Sequence, residues 1–169
     1  MMATTNSKIE AIRQNIQASY NELNRLIAGP LLQLDTAKLY QPPVPNEWTL
    51  MESLAHIIEF MPYWADEIAR LVARPGQNFG RTAQDEGRLR AIQEHGSYTL
   101  AHAAAVLPDS YKHLDLVLSG LKDSDLELTA HHSRFGEQRL EWFIEEFLTQ
   151  HLANHLQQMK EALAALQTK

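Results

Sequence analysis

The sequence predicts an all-α protein, a four-helix bundle with long crossover connections. Three observations carry that expectation. Four segments, at about 7–28, 49–73, 97–121 and 139–166, repeat apolar residues at spacings of three and four. Almost nothing alternates with the period of two that a half-buried strand needs. The connectors before the second helix and before the fourth are too long for simple up-down hairpins, which implies at least one crossover.

The first helix runs from Ser7 to Ala28 with Ile9, Ile12, Ile16, Tyr20, Leu23 and Ile27 on one face, and Gly29-Pro30 is expected to stop it. Residues 35–48 form a connector whose PPVPNEW stretch excludes regular structure. Thr49-x-x-Glu52 is a capping-box pattern that opens the second helix, with Leu50, Leu54, Ile57, Ile58 and Met61 as its core stripe. Pro62 removes one backbone bond inside that helix, so a kink or a one-turn irregularity is expected there. Residues 74–96 are polar and contain glycine, and read as a loop with a short helix at about Asp85–Glu94. The third long helix spans Ser97–Leu121. A loop with the doublet His131-His132 and the segment SRFGEQR comes next; over the whole chain at most a short strand-like element is expected. The fourth helix spans Arg139–Leu166, with Leu140, Ile144, Leu148, Leu152, Met159 and Leu163 facing inward.

A chain of 169 residues is most simply one domain, 1–169, large enough to bury roughly 70% of its unfolded surface. The net charge of −6, with no compensating Lys/Arg cluster, argues against a nucleic-acid partner. The absence of cysteine excludes disulfides, thiolate ligands and a cysteine nucleophile. MMATTNSKIEAI lacks the apolar core of a signal peptide and no stretch approaches ~18 consecutive apolar residues, so a cytoplasmic protein without a membrane partner is expected.

The chemistry is concentrated in histidines. His151 and His155, in TQHLANHLQQM, stand four apart and share a helix face beside Leu148, Leu152 and Met159. His56, in WTLMESLAHIIEF, lies on the second helix beside Ile57. Three neutral imidazoles converging from two helices can hold a divalent ion with positions left for water or substrate. Ordinary hydrogen-bonded core histidines would show the same pattern. HLANH is not HExxH, so the glutamate base of the zincins is absent. Near His56, either Glu52 or Glu59 could act as a partner or proton carrier, although Glu52 has a competing role in the cap and Glu59 also reads as solvated. His95, His102, His113, His131 and His132 read as surface or loop residues. No nucleophile elbow or phosphate-binding loop is present.

The segments EWTLMESLAHIIEFMPYW, FGRTAQDEGRLRAI and RFGEQRLEWFIEEFLTQHLANHLQQM, in that order and spacing, resemble the DinB superfamily (DinB/YfiT-like metal-dependent hydrolases) from about Ile9 to Leu163. The resemblance implies a bundle with a long crossover and a three-histidine metal site. At the matching positions the ligands are His56, His151 and His155, and the ion is zinc, nickel or another divalent metal. It also implies thiol S-transferase or hydrolase chemistry on a small-molecule substrate, with a low-molecular-weight thiol such as bacillithiol or mycothiol as cosubstrate in some relatives. Homodimers are common in such families, and apolar faces on the first and third helices would permit one. This chain has Asn154 where many relatives have a further histidine, and Arg139 where a capping Thr is usual.

Two kinds of function are therefore expected from the residues. One is a metal-dependent enzyme with a pocket lined by Phe60, Trp64 and Phe147. The other is a non-catalytic stress-response bundle that binds a metal or ligand. If metal binds, it is expected to weaken below about pH 6 as the imidazoles protonate.

Overall fold

The computed structural model describes residues 6–168; the first five residues of the stretch read as lacking a signal peptide lie outside them. Helix α1 spans Ser7–Leu26 and buries Ile9, Ile16, Leu23 and Leu26. Asn6 makes no side-chain cap, and its place is taken from far along the chain. The carboxylate of Asp123 accepts the backbone N–H groups of Lys8 and Ile9 at 3.2 and 3.0 Å. Gly29-Pro30 does not stop the helix. The backbone widens into a π turn, Ile27–Leu31, which continues helically through Pro30 so that Leu31 reaches the core. A wider turn accommodates a residue without an N–H at a point where an α-helix would break.

Helix α2 spans Leu50–Ala73 and begins with the expected capping box: Thr49 Oγ1 accepts from the Glu52 N–H at 3.0 Å, and Glu52 accepts from the Thr49 N–H at 2.8 Å. It stays helical through Pro62, so the expected irregularity there is not realised as a break. Fourteen buried residues hold the helix in place, which outweighs one missing backbone bond. Helix α3 spans Glu86–His95, capped by Asp85, and α4 spans Leu100–Ser119, capped by Thr99.

After a 3-10 turn at Asp123–Glu127, the segment expected to be a loop is an antiparallel hairpin of β1, Thr129–His132, and β2, Gly136–Arg139. In β1, Ala130 and His132 face the core while Thr129 and His131 face solvent. Four residues are too few for that alternation to stand out from a polar loop. Helices α5, Leu140–Ile144, and α6, Gln150–Gln167, are joined without interruption by a second π turn, Glu145–Thr149. Arg139 gives α5 no side-chain cap; the Leu140 N–H donates instead to the Leu128 carbonyl at 2.7 Å.

Around the bundle, α2 packs against α4 and α6, and α1 packs against the same two helices, so α1 and α2 lie on a diagonal although consecutive among the long helices. This is the crossover expected from the connector lengths. Tyr20 stacks on Tyr111 at 3.9 Å and Arg13 clasps Asp115 with two hydrogen bonds at 2.9 and 3.1 Å, fastening α1 to α4. Among the described residues, no helix is long and apolar enough to cross a membrane.

One glycine carries a constraint that bears on the site. Gly80 has φ of +79°, and a Cβ there would lie 2.9 Å from both the Trp64 ring and His132. Gly80→Ala is expected to destabilise the protein by roughly 1–3 kcal/mol, through overpacking and left-handed strain together. Chemical denaturation checks this; an unchanged midpoint would show that the Trp64–His132 contact yields freely.

Candidate metal centre

The second helix carries His56 at the centre of its buried face, 2% exposed. The fourth supplies His151 and His155 one turn apart, immediately after the π turn. A π turn shifts the angular register of the helix beyond it. Here it ends at Thr149, two residues before His151.

The Nε2 atoms of His56 and His151 are 2.9 Å apart, and those of His155 and His151 are 3.2 Å apart. The three rings stand nearly perpendicular to one another, at 87°, 81° and 89°, and their ligand atoms all lie within 4.8 Å. Each imidazole nitrogen holds either one proton or one lone pair. Three of them pointed at one spot cannot all be satisfied by hydrogen bonds to each other. A cation satisfies all three at once, and donors on a sphere of ~2.1 Å radius sit ~3.0–3.4 Å apart, close to the spacings seen. The donor set fits a divalent metal ion.

The surroundings favour the neutral, ligating form. Burial pushes His151 down to about 4 and His155 to about 3, with the neighbouring imidazoles and the Arg88 charge adding to the effect. His56 is lowered as well, by burial first, although Glu59 opposes it. His56 Nδ1 faces Glu59 Oε2 at 3.8 Å, too long for a hydrogen bond but close enough to favour a proton on that nitrogen.

Glu59 is not the solvated residue the sequence suggested. Its side chain is only 10% exposed and is held by Arg81, which also reaches Asp85 at 3.5 Å. Burial raises the Glu59 carboxyl, but His56 and Arg81 outweigh it and hold the group below its ordinary range. Glu52, engaged in its cap, takes no part. Trp48, from the proline-rich connector, stacks on His155 at 6.0 Å and meets His56 edge-on.

His56 and His151 open onto a cavity of about 190 Å³. Phe60, Trp64 and Phe147 line it as expected, joined by Phe135, while Arg81, Arg88, Arg134 and Glu146 supply its charged groups. Trp64 and Phe147 stack at 4.3 Å and make a flat apolar wall.

His132, expected to be a surface or loop residue, is 1% exposed and lines the same cavity. Its Nδ1 accepts the Arg134 N–H at 3.1 Å, so its Nε2 carries the proton donated to the Arg81 carbonyl, also at 3.1 Å. It pins the hairpin to the segment that carries Arg81. No local signal marks His132, since the inward-facing residues of this four-residue strand are one small and one polar. His131 and His102 are exposed, and His113 pairs with Asp66 at the surface. His95, half-buried, stacks on Tyr98. None of these four is grouped with the ligands. Arg81 and Arg88 went unread as site residues; the available signal was their place in FGRTAQDEGRLRAI, one of the segments that carry the family resemblance.

A bundle with diagonal neighbours and three histidines converging between α2 and α6 defines a helical protein with a candidate metal centre. The chain belongs to the DinB superfamily, whose family model matches residues 9–159. The fold is similar to that of YfiT from Bacillus subtilis, a probable metal-dependent hydrolase with an unusual four-helix bundle topology (TM-score 0.75, 12% identity, 96% of this chain and 89% of that one). It is also similar to the mycothiol-dependent maleylpyruvate isomerase (TM-score 0.63, 10% identity, 94% of this chain). The present chain covers 60% of that isomerase's length. No curated protein sequence matches the chain.

Proposed function

We propose that this protein is a metal-dependent enzyme of thiol S-transferase or hydrolase type acting on a small molecule, with zinc or nickel held by His56, His151 and His155. The observation that carries this reading is the convergence of three imidazoles, two of which, His56 and His151, line an aromatic cavity. The likeness to YfiT and to the mycothiol-dependent isomerase supports it at the level of fold.

A divalent ion on three neutral ligands keeps its full charge and makes a bound water or thiol more acidic. The chain's own residues do the rest. Glu59 favours a proton on His56 Nδ1, which directs the Nε2 lone pair toward the other two imidazoles, and Arg81 holds Glu59 in place. Phe60, Trp64 and Phe147 give one side of the cavity an apolar surface. Glu146 is the one carboxylate in the cavity lining and has no hydrogen bond or ion pair among the described residues, which leaves its oxygens free to meet a polar group of a substrate.

Glu59→Gln is expected to lower metal affinity roughly 10–100-fold without unfolding the protein. Competition against a chromophoric chelator measures it; parent-like affinity would remove Glu59 from the site's support.

The functional test is turnover of small electrophiles and esters by the metal-loaded protein, with and without a low-molecular-weight thiol. Turnover needing both metal and thiol marks a transferase, and turnover with water alone marks a hydrolase. Tight metal binding with neither activity favours the non-catalytic binding module. A homodimer is a further part of this reading. Because α1 and α4 pack on each other, its apolar contacts reduce to exposed side chains such as Leu116 and Leu32. Sedimentation tests it.

A further inference from the structure

We propose that Arg88, with Arg134 at the same cavity, forms an anion subsite facing the histidines, and that it takes a small carboxylic acid with a flat apolar body. As a subsite for substrate this rests on the function proposed above; as a binding site for an anion it does not.

Arg88 stands on α3, half-buried, in the cavity lining with His56 and His151. A guanidinium carries five N–H donors in a fixed fork. Arg88 uses Nη1 on the Ala83 carbonyl at 2.8 Å, and its guanidinium carbon lies 5.5 Å from the Trp48 ring centre. No carboxylate lies within ion-pair distance of it among the described residues, whereas the neighbouring Arg81 is committed to Glu59 and Asp85. The remaining donors of Arg88 have no partner among the described residues and are not sealed off from solvent, so they are open to an anion that enters the cavity. A carboxylate offers two oxygens that match the fork.

The balance of charge agrees. Setting Arg81 aside, the lining offers the uncommitted guanidiniums of Arg88 and Arg134 against the single carboxylate of Glu146. Arg88 shares the cavity lining with His56 and His151, so a carboxylate on Arg88 leaves the rest of a small molecule beside those two histidines. Phe60, Trp64 and Phe147 supply flat walls there. The volume of about 190 Å³ is below the ~300–1,000 Å³ of sites for drug-sized ligands, which confines the occupant to a small acid.

The test is calorimetric titration of metal-free protein at pH 7 with benzoate, benzamide and inorganic phosphate. Omitting metal removes direct coordination of the carboxylate. Benzoate is expected to bind saturably at millimolar concentration, and at least tenfold more tightly than benzamide or phosphate. Arg88→Gln should weaken benzoate at least tenfold and leave benzamide unchanged. Arg88→Lys should recover only part of the loss, since an ammonium has no fork. Arg90→Gln, on the same helix but outside the cavity, should bind as the parent does; far-UV circular dichroism confirms that each variant is folded. Absence of saturable benzoate binding, equal binding of benzoate and benzamide, parent-like binding by Arg88→Gln, or tighter binding of phosphate would each overturn the proposal. Zn²⁺ titration of the same samples separates the two readings. Arg88-dependent benzoate binding without metal binding would overturn the metal-enzyme reading alone, and metal binding without benzoate binding would overturn the subsite alone.

Discussion

Replacing His151 by Ala is expected to abolish the tight metal binding proposed above, with affinity for Zn²⁺ or Ni²⁺ falling roughly 100-fold or more. The expectation comes from the position of this side chain within the cluster. Its Nε2 is the atom within 3.2 Å of both other ligand nitrogens, so it is the hub through which His56 and His155 are related. Without it, two imidazoles remain on separate helices and the cavity opens onto the gap. Unfolding does not account for the loss. Removing a half-buried imidazole whose burial already opposes its charged form costs the fold little, while Leu148, Leu152 and Leu156 keep the helix packed. His131→Ala is the control: it lies exposed on β1 and should bind metal as the parent does. Titration of chelator-stripped protein, parent and variants side by side, decides the matter. If His151→Ala binds with parental affinity, the three-histidine site is wrong and only the bundle stands.

The second large effect is on pH. Sequence reasoning alone places the loss of metal near pH 6, the ordinary range of histidine. Burial moves it. With His151 lowered to about 4 and His155 to about 3, protons compete with metal in the preformed site only toward pH 4–5, so Zn²⁺ binding should survive at pH 5. Metal-free protein shows the opposite side of the same linkage. The unfolded chain takes up protons at these histidines near 6.5, the folded chain only near 4 and below. The unfolded state therefore binds more protons between those values, and stability, complete above pH 6.5, is lost as pH falls toward 4. Bound metal should displace the whole loss to lower pH, because it stabilises the folded form by mass action. Thermal melts of metal-free and metal-loaded protein from pH 8 to pH 4 measure both effects. A metal-free melting temperature that stays level between pH 6.5 and 4.5 would mean the imidazoles are not desolvated as described. A metal-free protein already unfolded at pH 7 would mean the metal is structural, contrary to the complete apolar core that the helices carry without it.

The long helices were legible because their signal is local. A period of three and four, caps such as Thr49–Glu52 and breaks at polar stretches all lie within one segment. The two π turns were not legible. At Gly29-Pro30, local rules say stop, and the chain continues because Leu31 has a core to enter. At Glu145–Thr149 no residue type announces the extra width. The hairpin was hidden for a related reason: its inward residues, Ala130 and His132, are not ones that mark a strand.

The same division runs through the site. The sequence by itself determined which histidines can act together on one helix, since spacing of four aligns His151 with His155 whatever surrounds them. With the family resemblance it also indicated His56 as the third member. Only the tertiary structure decided that side chains 95 residues apart meet at 2.9 Å, that Glu59 is buried against Arg81, and that Arg88 and His132 join the cavity. It also decided the acidity of the cluster. The physical reason is one of range: helical geometry is set by neighbours a turn away, whereas desolvation and charge are set by whatever distant segments pack alongside.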